Sequence, residues 1–177
     1  MEKMLVQHCA PTLANLKTAN LLNCELRAAD FKRCKKILAA KGVEMRILSK
    51  SKNGVLIYVF RRKRLENDLK KHGCTSILKQ YGYSCCNVDE CICRLCRRIH
   101  KCSAFPHEIG LFLGYPPEDV RGFIEHKGQD FKLLGYWKVY CNETDAMQTF
   151  KRYKKCVDIY TKTYTSGTDI EKLTVSA

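Results

Sequence analysis

A chain of 177 residues that is 45% apolar can bury one sizeable core, and a single α+β domain over residues 1–164 with a fraying tail over 165–177 is the expectation. The formal charge of +14 is uneven, with 18 Lys/Arg against 6 Asp/Glu in residues 1–84 and 14 against 12 in residues 85–177, so a footprint for nucleic acid or another anionic ligand belongs to the first half. Nowhere do about 18 apolar residues run together, which excludes a membrane-spanning helix. The start, Met1 to His8, has no apolar run of signal-peptide length, so the twelve cysteines are expected as reduced thiols in a cytoplasmic protein.

In chain order, His8-Cys9-Ala10-Pro11 opens the ordered region, and Pro11 is placed to enter a short helix carrying Leu13 and Leu16 into the core. Cys9 then stands beside a helix start, where free amides and the dipole stabilise a thiolate; the alternative is a small buried thiol next to a capping His8. Residues 27 to 41 read as an amphipathic helix with Phe31, Cys34, Ile37 and Leu38 on one face and Lys32, Arg33, Lys35 and Lys36 on the other, ended by Gly42. Residues 43 to 49 and 54 to 61 form a predicted hairpin joined at Asn53-Gly54. Its second strand is apolar on both alternating sets, so both faces should be covered.

Arg61-Arg62-Lys63-Arg64 is the most concentrated basic run, a candidate grip for phosphates or else a solvated helix start. Helices are predicted near 64–71, 74–81 and 88–101. The last carries Val88, Cys91, Ile92, Leu95, Cys96, Ile99 and Cys102 at helical spacing, so most thiols of the Cys85–Cys102 cluster fit a buried stripe. Only one C-x-x-C pair occurs there, and no cofactor is expected; Cys93, Cys96, His100 and Cys102 are the candidate ligands for the alternative, zinc or an iron–sulfur cluster.

The stretch from Phe105 to Asn142 is punctuated by glycines and prolines, and Ile109, Gly110, Leu113, Gly114, Tyr115, Val120 and Phe123 match a helix-turn-helix skeleton. Its second helix opens Pro116-Pro117-Glu118-Asp119, and residues 105–141 hold four Lys/Arg against five Asp/Glu. Carboxylates aimed at phosphates oppose DNA reading, so a compact near-neutral helix pair is predicted. His107 beside Glu108 offers an acid, a base or a ligand, or simply a helix cap. Leu111 rules out the H-E-x-x-H zinc-protease pattern. Residues 135 to 141 read as a third strand, with Tyr136, Lys138 and Tyr140 on one face able to line a groove for a flat or anionic ligand; Asn142 then caps a helix near 143–160.

The segments His8-Cys-Ala-Pro-Thr-Leu-Ala14, Phe105-Pro-His-Glu-Ile-Gly-Leu-Phe-Leu-Gly-Tyr-Pro-Pro117, Glu118-Asp-Val-Arg-Gly-Phe-Ile124 and Gly135-Tyr-Trp-Lys-Val-Tyr140 resemble a bacterial family, mainly of anaerobic Firmicutes, termed domain of unknown function 3793. The resemblance spans roughly His8 to Tyr160 and implies a redox or iron context, since members lie near genes for flavodoxins or ferrous-iron uptake. It supplies no mechanism, and the Cys85–Cys102 cluster lies outside its motifs.

Three classes of function remain. A non-catalytic binding or accessory protein would use a cleft between the 105–128 helix pair and the third strand, lined by His8, His107, Tyr115, Tyr136 and Lys138. A thiol enzyme would pair Cys9 as nucleophile with His107 as base, with Glu108 beside it. A nucleic-acid binder would use the basic residues 27–64. The first is preferred, because no complete catalytic or metal constellation can be assembled. Architecturally, the expectation is a small, mostly antiparallel sheet made of the hairpin 43–61 and the strand 135–141, covered by helices.

Overall fold

The computed structural model describes residues 1–52, 54–84, 87–101 and 105–176. Asn53 of the expected turn and Cys85, Cys86 and Cys102 of the thiol cluster lie outside these residues. The chain divides into two compact units, Met1–Arg62 with Tyr153–Ala177 and Lys63–Arg152. No Pro- or Gly/Ser-rich linker marks the junctions, which fall within the Arg61–Arg64 run and between Arg152 and Tyr153.

The first unit is built on a three-stranded antiparallel sheet of β1 (Ala19–Cys24), β2 (Glu44–Ser51) and β3 (Gly54–Phe60), in the order β1-β3-β2. The central strand pairs Ala19 with Phe60 on one side and Glu44 with Phe60 on the other, and a bulge between Ile47 and Ser49 offsets the far end of the hairpin. The two apolar sets of β3 account for its central place: Ile57, Tyr58, Val59 and Phe60 are all buried, and Tyr58 stacks on Phe60 at 4.7 Å. A strand apolar on both sides is stable only when both faces are covered.

Helix α1 (Glu2–Leu13) sets Leu5, Val6, Cys9 and Leu13 against the sheet at helical spacing, and α2 (Ala28–Ala40) adds Cys34 and Leu38 while Lys32, Arg33, Lys35 and Lys36 stay exposed. Each fully buried Leu or Val contributes about 1.5–3 kcal/mol relative to exposure. Pro11 therefore does not start a helix. The apolar stripe begins upstream of it, and Pro11 sits in the last turn of α1, with Asn15 in the left-handed region at φ 57° closing the end and Leu16 left 37% exposed.

The α+β class and the hairpin hold, but the third strand of this sheet is β1, not residues 135–141. The latter segment belongs to a separate two-stranded ladder of β4 (Leu133–Leu134) and β5 (Lys138–Val139). Gly135 N–H donates to Trp137 O at 3.1 Å, which turns the chain in the middle of what the alternation presents as one strand.

In the second unit, α3 (Arg62–Leu69), α4 (His72–Gln80) and α5 (Val88–Lys101) lead to the short α6 (Ile109–Phe112) and to α7 (Pro117–Glu125). Helices α4 and α7 pack together, as do α6 and α7 and α7 and β5. The turn between α6 and α7 passes through Gly114 at φ 76°, and Pro117 opens α7 with Glu118 and Asp119 in its first turn. Helix α8 (Glu143–Thr165) starts in this unit and continues in the first; Asn142 Oδ1 accepts the Asp145 N–H at 3.1 Å, the expected cap. Residues 165–177 include α9 (Ile170–Leu173), whose Ile170 is buried in the first unit's core. Among the described residues no helix is long and apolar enough to cross a membrane.

Candidate functional site

A cavity of the second unit lies between the α6–α7 pair and the β4–β5 ladder, with a volume of about 350 Å³. Glycine at position 110 is what lets its floor close: a Cβ there would stand 2.7 Å from Val120 Cγ2 and 3.2 Å from Tyr115 Cδ2. Gly135 does the same for the ladder, since a Cβ would be driven into the Phe150 ring. These are close-approach glycines, chosen for the absence of a side chain.

Asp119 fixes the relation of α7 to the ladder. It is 3% exposed; one carboxylate oxygen accepts Trp137 Nε1–H at 2.7 Å, and the other accepts the backbone N–H groups of Tyr140 at 2.8 Å and Cys141 at 3.0 Å. A buried carboxylate receiving three N–H donors is well satisfied. In the sequence Asp119 shows only as an acidic residue in the first turn of a helix; its partners lie about twenty positions away, beyond what helical spacing reveals.

Trp137, held by Asp119, stacks on Tyr115 at 5.1 Å and meets Phe150 edge-on at 4.6 Å. Tyr115 donates its hydroxyl to Tyr136 O at 3.0 Å. Lys138 Nζ donates to Gly128 O at 2.6 Å and lies 4.7 Å from the Phe131 ring centroid and 5.7 Å from that of Phe123, while the His107 ring meets Phe123 at 5.0 Å. An ammonium carries three donors, so Lys138 keeps two beyond its carbonyl. The rim is apolar and open: Phe105, Leu134 and Tyr136 are 48%, 63% and 37% exposed.

The structure thus brings His107, Tyr115, Tyr136 and Lys138 around one cavity. Phe105, Phe123 and Leu134 join them, apolar residues to which the sequence assigns no place in a site. His8 is elsewhere, exposed on α1 in the first unit. Glu108 does not line the cavity. It is fully buried, accepts the Tyr83 hydroxyl at 3.0 Å and pairs with Arg98 Nε; burial, then the Glu108 charge, hold the Tyr83 hydroxyl protonated.

Cys9 stands in the first unit's core with no exposed surface, and His107 belongs to the second unit. Burial pushes the Cys9 thiol up to about 12, only partly countered by Lys17, so the thiol stays protonated at neutral pH. It is the eighth residue of α1 rather than a neighbour of its first turn, so the helix-start amides do not reach it. Among the described residues no group of three or more His, Cys, Asp or Glu side chains could hold a metal ion. Cys93 and His100 are exposed on α5, Cys96 is half-buried, and His100 Nδ1 lies 2.7 Å from the carbonyl of Cys96; Cys102 lies outside the described residues.

The basic run divides. Arg61 points inward, 2% exposed, and donates to the carbonyls of Thr12 at 2.7 Å, Leu13 at 2.6 Å and Val175 at 2.7 Å, so it serves the end of α1 rather than a phosphate. Arg62 pairs with Glu44 at 2.5 Å, and Lys63 and Arg64 are exposed at the start of α3. A run of like charges in sequence does not reveal which members turn inward.

Comparison with known proteins gives one family. Residues 5–174 match the family described as protein of unknown function, DUF3793. Neither curated proteins nor solved structures gave a match.

Proposed function

The chain belongs to the DUF3793 family, and from that premise we propose that it is a non-catalytic binding protein whose second unit takes a small, flat, anionic molecule in the Tyr115–Trp137–Lys138 cavity. One observation carries the reading: an aromatic cavity of about 350 Å³ opens through an apolar rim of Phe105, Leu134 and Tyr136, with the Lys138 ammonium among its lining. Exposed apolar residues gathered around a concavity, with few polar groups converging on it, are the usual make-up of a ligand site. Tyr115 and Trp137 offer ring faces, and Lys138 supplies the charge for a carboxylate or sulfonate. The redox or iron context implied by the family resemblance is a narrower form of this proposal, in which the flat ligand is redox-active.

The only tryptophan in the chain lines this cavity, which gives a local reporter. Anilinonaphthalene sulfonate, a flat aromatic anion, is expected to bind the native protein at one site and to emit when Trp137 is excited. Lys138→Met should weaken the dye about three- to tenfold, the loss of one charge-assisted contact. Absence of sensitised emission, or an unchanged affinity in a folded Lys138→Met protein, would remove the proposal.

A further inference from the structure

Helix α5 presents a second, different cluster of side chains. Its buried face is apolar, with Val88, Cys91, Ile92 and Leu95 inside. Its other face presents Arg94, Arg97, Arg98 and Lys101, the i, i+3, i+4 and i+7 positions of one helical stripe. Among the described residues these four cations line a concavity of about 280 Å³. Like charges at i, i+3 and i+4 destabilise a helix, so such a stripe carries a cost that a solvated helix avoids by interspersing carboxylates.

Two of the four are held in place by neighbours. Arg94 donates through Nε and Nη2 to Tyr81 O at 2.9 and 2.7 Å and sits 5.5 Å from the Tyr83 ring centroid. Arg98 pairs with the buried Glu108 and lies 4.7 Å from the Tyr81 ring centroid. Glu108 brings a buried carboxylate to this stripe. Arg97 and Lys101 are exposed beside these fixed groups. Arg94 and Arg97 also border an adjoining cavity of about 460 Å³, whose lining includes Tyr83, Ser84, Asp89 and Glu90.

We propose that the Arg94–Arg97–Arg98–Lys101 concavity binds the phosphate groups of a compact polyphosphate, either inorganic or the phosphate chain of a nucleotide. Guanidinium groups present fork geometry to phosphate oxygens, and two forks fixed in advance lose less side-chain entropy on binding than free ones. Seven residues of helix span about 10 Å, enough for a chain of two or three phosphates and short for a polymer track. Concavity favours the same choice. Among the described residues the site shares no lining residue with the aromatic cavity of the proposed binding role.

The test titrates the full chain with inorganic triphosphate by calorimetry. Saturable binding at one site is expected, weakened about tenfold or more in R97E/K101E, two exposed changes that leave the packing of α5 intact. A control, K35E/K36E on the exposed face of α2, should bind as the native protein does. Adenosine triphosphate binding tighter than inorganic triphosphate would identify the nucleotide, with the adjoining cavity receiving the nucleoside; equal affinity would identify the inorganic chain. No saturable binding, equal binding by native protein and R97E/K101E, or a single-stranded oligonucleotide bound tenfold tighter than triphosphate would each overturn the proposal, the last in favour of a nucleic-acid surface.

Discussion

The two units use the same residue types for opposite ends. In the first, groups that look reactive in sequence are consumed by the fold: Cys9, Cys24, Cys34 and Cys156 are buried, Lys17 is 3% exposed, and Arg61 is bonded to three carbonyls. In the second, aromatic and cationic side chains are fixed by a few buried contacts and then left open, Trp137 by Asp119, Lys138 by Gly128 and Arg98 by Glu108. A thiol or guanidinium is therefore weak evidence for chemistry until its burial is known, whereas rings held around a cavity with an exposed apolar rim are stronger evidence of a binding site.

The sharpest way to break this contrast is Arg61→Ala. If the first unit relies on Arg61 to satisfy the carbonyls of Thr12, Leu13 and Val175, the change should cost about 3–5 kcal/mol, three hydrogen bonds from a charged donor at about 1.5–3 kcal/mol each less the desolvation cost of burying the guanidinium, read from the urea midpoint. Arg61→Lys should recover only part of it, because an ammonium lacks the fork. Stability unchanged by Arg61→Ala would return this residue to the list of anion-binding candidates.

A smaller effect is expected from Asp119→Ala, about 2–3 kcal/mol for three lost hydrogen bonds to a carboxylate, partly offset by solvation of the freed donors. Because Trp137 loses its anchor, its emission should move to the red at temperatures well below the melting transition. A blue emission maximum retained in this variant would show that Asp119 does not hold the ladder.

The gentlest test is a slope. Burial lowers Lys17 to about 8 from 10.5, so between these values the unfolded chain holds a proton that the folded chain has released, and stability rises with pH across that window. Cys9 acts in the opposite sense: from 9.0 up to about 12 the folded chain keeps a proton that the unfolded chain loses, and stability falls. Cys24, Cys34 and Cys156, also pushed up by burial, add to the fall, so the Lys17 contribution is read as a difference between two proteins. From pH 8 to 9 Lys17→Met should show a more negative stability slope than the native protein, as measured by urea midpoints in half-unit pH steps; equal slopes in both proteins would place Lys17 outside the core.

Legibility in the sequence followed the physics of each element. The hairpin of β2 and β3 shows itself because strand alternation and turn chemistry are local signals. Strand β1 did not, since Asn20 and Asn23 interrupt a six-residue apolar segment that gains its place from pairing with β3. The segment 135–141 alternates well and yet turns, because Asp119 and Phe150 set its path from a distance. His107, Tyr115, Tyr136 and Lys138 were visible as polar or aromatic residues among glycines; Phe123, Leu134 and the α5 stripe were not. On α5 the stripe stands in plain helical spacing, Arg94-x-x-Arg97-Arg98-x-x-Lys101, but cations on one helix face read in sequence as an ordinary solvated face.

The most direct test of the contrast between the units is amide shift mapping on the isotope-labelled full chain, titrated with anilinonaphthalene sulfonate. The account predicts saturable shifts at Gly110, Tyr115, Tyr136, Trp137 and Lys138, with the amides of Cys9, Lys17 and the β1–β3 sheet unmoved. Shifts concentrated in the first unit, with the Tyr115–Lys138 cavity silent, would contradict it.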